Sequence, residues 1–313
     1  MTTAAEPSAA FADRLTLAIR RLGHPLCVGL DPHPGCLPAV FRRDLGDPLE
    51  PTDPRVADAW GAFFFALIDR LEGRVAVVKP QVAFFERLGW RGLRTLEQVV
   101  RRAHERDLMV IMDAKRGDIG STAAAYARAF LGAEAPFPSD ALTVNPYLGL
   151  DTLDPFVERA AEHGAGLFVL VRTSNPGAAD LQDQQVDGEA LHLRLAAALA
   201  ERTARLRGSE TGWSGLGAVV GATWPEDADR VRERLPDALV LVPGYGAQGG
   251  SAKDAVRAFV RGPDGRLEGG VVNSSRGIVF PAGSERADNV AAWEWAIDDA
   301  IERAVDDLGS AVA

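Results

Sequence analysis

Short runs rich in Val, Ile, Leu and Ala recur along this chain, separated by longer stretches whose apolar positions return every three or four residues. The runs cover residues 25–30, 75–78, 108–112, 141–144, 166–171, 216–221, 238–242 and 270–273. Several are apolar throughout, as strands buried on both faces should be. The stretches between them read as amphipathic helices: residues 57–71 collect Trp60, Phe63, Phe64 and Ile68 on one face, and residues 92–106 collect Leu93, Leu96, Val99 and Val100. Strands alternating with helices predict a parallel sheet. Eight of them favour a closed (β/α)8 TIM barrel over an open doubly wound sheet, because the Gly-rich dinucleotide turn of the latter is missing after the first strand. Two more helices, over residues 11–22 and 289–308, flank the repeat and are expected to plug or brace the barrel. The chain reads as one domain over residues 1–313, with residues 1–10 as a flexible tail and loops at 132–139, 175–188 and 207–215.

Composition narrows the function classes. No apolar run reaches the ~20 residues of a membrane span, and the N-terminal stretch lacks the basic start and apolar core of an export signal. A cytoplasmic protein with no membrane partner is expected. The net charge is −10 and the basic residues are scattered among acids, so nucleic acid is not an expected partner either. Cys27 and Cys36 have no Cys/His cluster around them, and His24, His33, His104, His163 and His192 lack metal-ligand spacing, so no metal site is expected. One bias is informative. Of 34 basic residues only Lys79, Lys115 and Lys253 are lysines. Arginine stays protonated whereas a lysine ammonium can release its proton, so retained lysines are candidates for chemistry. For Lys253, in a helical stretch, chance retention is the simpler reading.

Parallel barrels carry their active sites at the carboxyl ends of the strands. The polar residues closing the runs are Asp31, Lys79, Asp113, Lys115, Asn145, Arg172 to Ser174, Pro243 with Gly244, and Asn273 to Arg276. The centre of this set is Asp113-Ala114-Lys115-Arg116-Gly117-Asp118. With regular strand alternation Asp113 and Lys115 share a side and Ala114 faces away. Lys79 arrives from the neighbouring strand and Asp118 follows in the loop. Lys79, Asp113, Lys115 and Asp118 are therefore expected to alternate in a network that keeps Lys115 protonated beside a reacting carbon. The plainer alternative is a ring of salt bridges closing the barrel. After the seventh and eighth strands, where such barrels bind phosphate, residues 244–250 and 275–277 are Gly-rich and would expose backbone N–H groups, with Arg276 as a bidentate cation.

The hexapeptide, continued by Ile119-Gly120-Ser121-Thr122, resembles the signature of the orotidine 5′-phosphate decarboxylase family, in its longer bacterial branch. Further matches run the length of the chain: Gly29-Leu30-Asp31-Pro32, Lys79-Pro80-Gln81, Thr173-Ser174-Asn175-Pro176-Gly177, the segment from Pro243 to Gly250, and Asn273-Ser274-Ser275-Arg276-Gly277-Ile278. The Asp-x-Lys-x-x-Asp core alone is shared with related sugar-phosphate enzymes. The ordered set is far more specific.

The resemblance implies cofactor-free decarboxylation of orotidine 5′-monophosphate to uridine 5′-monophosphate, the last step of de novo pyrimidine synthesis, with Lys115 protonating a carbanion at C6. It further implies that Asp31 and Lys79 contact the ribose hydroxyls, and that Ser174 bonds the pyrimidine. Pro243 would belong to the substrate wall, and Gln248 and Arg276 would bind the phosphate. Asp118 and Thr122 would reach into the site of a second subunit, making the active unit a homodimer. Residues 245–251 and 175–188 are candidate lids, and the length of residues 180–217 is unexplained. Two rivals stand beside this reading. A metal-dependent sugar-phosphate decarboxylase or synthase of the same superfamily would carry an acidic residue where Lys79 stands. A non-catalytic barrel binding a phosphoribosyl ligand would not need the complete charged set.

Overall fold

The computed structural model describes residues 9–43, 45–46, 48–246 and 249–313. The eight apolar runs form eight parallel strands: β1 (Leu26–Leu30), β2 (Val77–Pro80), β3 (Met109–Arg116), β4 (Ala141–Val144), β5 (Gly166–Arg172), β6 (Ser214–Val220), β7 (Ala238–Val242) and β8 (Gly270–Ser274). They close into a barrel, β8 returning to β1 with Leu26 beside Val272 and Val28 beside Ser274. The expected TIM barrel is the observed one. Every residue of β1, β2, β4, β6 and β7 is buried, which is why those runs carry no polar alternation.

Alternate strand residues feed two separate cores. Cys27, Val77, Ile111, Phe168, Leu239 and Val271 fill the barrel interior, and Phe11 and Leu15 of α1 (Phe11–Leu22) join them. Phe11 meets Phe168 edge to face, with ring centroids 6.1 Å apart, so α1 plugs the floor of the barrel. Val28, Val78, Val110 and Val240 instead face the outer layer of helices, including α2 (Pro54–Leu71) and α3 (Gly89–Glu105). Asp53 caps α2, its side chain accepting from the Arg55 amide, with Pro54 at the first helical position. The ring continues through α4 (Gly120–Phe130), α5 (Asp154–His163), α6 (Leu191–Ala200) and α7 (Pro225–Arg234). The last helix, α8 (Val290–Val312), braces the barrel through an aromatic cluster in which Trp293 meets Phe63, and Phe63 stacks on Phe280 at 5.8 Å.

Two antiparallel ribbons depart from the sequence expectation: Gln185–Val186 with Glu189–Ala190, and Val260–Arg261 with Leu267–Glu268. Each strand is two residues long, too short for any periodicity. Strand β3 also runs four residues past its apolar portion, carrying Asp113, Ala114 and Lys115 within it. No helix among the described residues is long and apolar enough to cross a membrane.

Candidate active site

A cleft of about 620 Å³ opens at the carboxyl ends of the strands. Its floor is apolar, with Leu170, Val219 and Leu241, and its wall carries Asp31, Lys79, Asp113, Lys115, Ser174, Pro243 and Arg276. Seven positions singled out from the sequence therefore converge on one space.

Asp113 is the hub. Its Oδ2 lies 2.8 Å from Lys79 Nζ, and its Oδ1 lies 2.5 Å from Lys115 Nζ. Gln81 Nε2 donates to Oδ2 at 2.9 Å and the Thr143 hydroxyl donates to Oδ1 at 3.0 Å. Burial alone would raise the Asp113 pKa, but the two ammonium groups outweigh it and hold the carboxyl far below its ordinary range. Burial would likewise deprotonate Lys79, and here Asp113 and Asp31 win, pushing its pKa above the usual lysine value. Both groups are thus locked in their charged forms. Beneath them, burial pushes the Cys27 thiol up to about 12, so it stays neutral.

Lys115 reaches this position by a different route from the one alternation predicts. The β3–β4 register shifts between Met112 and Arg116, and Lys115 has φ +48°, a left-handed backbone that a non-glycine residue adopts only under strain. A bulge therefore aims the side chain. Thr143 holds the bulge, accepting from the Lys115 amide at 2.9 Å while donating to Asp113. The result leaves the Lys115 side chain 45% exposed to the cleft while that of Lys79 is 6% exposed.

The expected four-membered network needs one correction. Asp118 does not line the cleft of its own chain; its carboxylate turns back on the loop, accepting from the Ile119 amide at 2.8 Å at the entry to α4. Thr122, in the first turn of α4, is exposed and also outside the cleft. The second carboxylate that bears on Lys79 within the chain, after Asp113, is Asp31. Asp31 is buried, and its Oδ1 has no hydrogen-bond partner among the described residues. Such an acceptor costs about 1–3 kcal/mol unless a ligand donates to it.

The phosphate-type corner is built from β8 and its turn. Gly29 of β1 is required there, because a Cβ at that position would sit 1.8 Å from Ser275 Oγ. Arg276 follows, exposed at the cleft rim, with no carboxylate partner among the described residues. Phe280, four residues on, is gripped by Trp60 and Phe63 and anchors this turn. Opposite, the Tyr245 hydroxyl donates to Asp307 of α8 at 2.7 Å. Gln248 lies outside the described residues.

Sequence reasoning assigned no role to Gln81 or Thr143, and it missed His33, whose ring lies 4.4 Å from that of Phe84 in the same wall. Thr143 was findable as the one polar side chain in an otherwise apolar fourth strand. Arg172 and Asn145, both expected at strand ends, do not line the cleft. Among the described residues no group of three or more His, Cys, Asp or Glu side chains could hold a metal ion.

Comparison with known proteins agrees with this geometry. Residues 24–289 match the family model described as orotidine 5′-phosphate decarboxylase / HUMPS family. The orotidine 5′-phosphate decarboxylase of Rhodopirellula baltica is 47% identical over 94% of this chain and 96% of its own length. That of Halorubrum lacusprofundi is 43% identical over the same shares. The solved structure of Leishmania donovani OMP decarboxylase is similar with a TM-score of 0.73, at 30% identity over 96% of this chain and 98% of that one. A bulged Asp113–Lys115 pair in a closed barrel and sequence likeness across nearly the whole chain lead to one assignment: this protein belongs to the orotidine 5′-phosphate decarboxylase / HUMPS family.

Proposed function

We propose that the chain decarboxylates orotidine 5′-monophosphate to uridine 5′-monophosphate, with Lys115 as the acid. The observation that carries this reading is the Lys115 ammonium, open to the cleft and 2.5 Å from a carboxylate that the buried Lys79 keeps ionised. The substrate's C6 carboxylate lies beside Asp113. The C6–carboxyl bond breaks, carbon dioxide leaves, and the electron pair stays at C6. An N–H proton of Lys115 then moves to C6, leaving a neutral amine that solvent reprotonates after product release. Charges already fixed in place stabilise the carbanion without the reorganisation that water would need.

The remaining contacts are those the family resemblance implies, and the unpaired Asp31 Oδ1 supports the first of them. Asp31 Oδ1 accepts from a ribose hydroxyl with Lys79 beside it, Arg276 takes the phosphate together with Gln248, Ser174 bonds the pyrimidine edge and Pro243 packs against it. Lys79 also separates this reading from the metal-dependent branch of the family, because an ammonium stands in the wall where that chemistry requires an acidic ligand.

A homodimer completes the site in this reading. Asp118 and Thr122 do not line their own cleft, and Ile119, Tyr147 and Leu148, in the loops that follow β3 and β4, are 61%, 77% and 54% exposed. Large apolar side chains left exposed on loops at the carboxyl ends of the strands suit an interface with a second copy.

The test is a near-ultraviolet absorbance assay for loss of orotidine 5′-monophosphate with a chelator present. Turnover is expected in the unmodified protein, and Lys115→Ala is expected to lack it while still binding uridine 5′-monophosphate. Normal turnover by that variant would overturn the role of Lys115. Mixing inactive Lys115→Ala and Asp118→Asn chains and allowing exchange should restore roughly a quarter of full activity, because half of randomly mixed dimers hold one intact site of two. No recovery would count against shared sites.

A further inference from the structure

At the end of β5 the chain places an arginine where chemistry would be expected and then seals it away. The Arg172 side chain is 2% exposed. Its Nη1 lies 2.8 Å from Asp183 Oδ1 and its Nε lies 2.8 Å from Asp227 Oδ2. The guanidinium carbon sits 4.4 Å above the ring of Trp224. His192 of α6, also buried, closes the cluster from behind, with Nδ1 2.8 Å from the Gln182 carbonyl oxygen. Asp183 belongs to the excursion after β5 and Asp227 to α7, so one cation ties three separate segments together.

The segment held in the middle is Thr173 to Asn175, which forms one wall of the cleft. The Thr173 amide donates to Gln182 Oε1 at 3.0 Å, and Gln182 Nε2 donates to Thr173 Oγ1 at 2.8 Å. Trp224 Nε1 donates to the Thr173 carbonyl at 3.0 Å, and the Thr223 hydroxyl donates to the Ser174 carbonyl at 3.3 Å. From the other side Gly221 lies so close that a Cβ there would stand 2.9 Å from Ser174 Cα. The Thr173 amide and the carbonyls of Thr173, Ser174 and Asn175 are therefore taken up by protein, while the Ser174 hydroxyl makes no hydrogen bond among the described residues. A side chain left free on so firmly gripped a backbone is arranged to meet a ligand at a set height.

We propose that Arg172 is a positioning residue: clasped by Asp183 and Asp227 and stacked on Trp224, it sets the height of the Thr173–Asn175 wall and so aims the Ser174 hydroxyl at the base of the nucleotide. The excursion from Pro176 to Ala190 is then the clasp that Arg172 closes on, which accounts for the first part of the long segment the sequence left unexplained and argues against its service as a lid. This inference rests on the proposed function, since it takes the ligand to be a nucleotide whose ring Ser174 meets.

The experiment is a double-mutant cycle read as kcat and KM for orotidine 5′-monophosphate. Ser174→Ala, Arg172→Met and the double variant are compared with the unmodified protein. Arg172→Met alone is expected to lower kcat/KM about tenfold, near the cost of Ser174→Ala, and to cost less than about threefold when Ser174 is already alanine. Equal fold-losses in the two backgrounds would show that Arg172 acts independently of Ser174 and would overturn the proposal, as would no loss at all. Should Arg172→Met fail to fold, Gln182→Leu removes both hydrogen bonds to Thr173 from a partly exposed position and must show the same dependence on Ser174. Absence of turnover in the unmodified protein would sink the decarboxylase reading instead, so the two failures are distinguishable.

Discussion

Lys115 and Arg172 both sit at the carboxyl ends of barrel strands, and each is paired with aspartate, yet the fold uses them in opposite ways. Lys115 stands on a bulge in left-handed backbone with its ammonium in the cleft; Arg172 also follows a register shift, after Leu170, but without a positive φ, and it is buried under Trp224. The chemistry of each side chain matches its place. A lysine ammonium can surrender a proton to a carbanion, whereas a guanidinium keeps its charge and offers a planar fork suited to bridging two carboxylates. Proximity of a cation to the active end of a barrel therefore does not by itself mark a catalytic group. Exposure to the cleft does.

The largest break in that comparison comes from exchanging the cation types. Lys115→Arg keeps the positive charge beside Asp113 but removes the releasable proton, so kcat should fall by about three orders of magnitude. Binding of uridine 5′-monophosphate, followed by calorimetry, should stay within a few fold. A rate within about tenfold of normal would mean that charge alone suffices.

Next in size is Asp113→Ala, which leaves Lys79 buried without its partner. Denaturant unfolding should show a loss of about 3–5 kcal/mol, the cost typical of stranding one member of a buried pair. A loss below about 1 kcal/mol would indicate that water reaches Lys79 readily.

The pH dependence of stability follows from the same pair. The folded pKa of Asp113 is depressed, so its contribution is complete above the unfolded value of ~3.9 and fades as pH falls through the folded one. The folded pKa of Lys79 is raised, so its contribution is complete below ~10.4 and fades only as pH rises through the folded value. Through the neutral range the pair adds no slope. Below about pH 4 the fall in melting temperature should be shallower in Asp113→Asn than in the unmodified protein.

The smallest effect is expected at Tyr245→Phe, which removes the bond to Asp307 at the partly exposed edge of the cleft. Stability should fall by about 0.5–1.5 kcal/mol. KM for orotidine 5′-monophosphate should move by no more than about threefold, because the ring itself is kept.

Much of this was legible in the residues. Eight apolar runs became eight strands because a parallel barrel buries both faces of its sheet, and many of the polar residues closing those runs line the mouth, although Arg172 and Asn145 do not. Lys79, Asp113 and Lys115 were readable on that ground alone. Asp118 does not join Lys115 within one chain because the loop after β3 turns its carboxylate to the Ile119 amide, which no local pattern announces. Asp31 entered the charge network from a strand distant in sequence. The two short ribbons lacked the length to leave a periodic trace.

What the sequence alone determined is the barrel, the inventory of charged groups at its mouth and the likeness to a decarboxylase family, because these depend on patterns repeated along the chain. Tertiary structure decided which of those groups face the ligand. The bulge that aims Lys115, the orphaned Asp31 oxygen and the clasp around Arg172 each arise where segments distant in sequence compete for the same space, and burial and pairing at such contacts are settled only when the chain has closed.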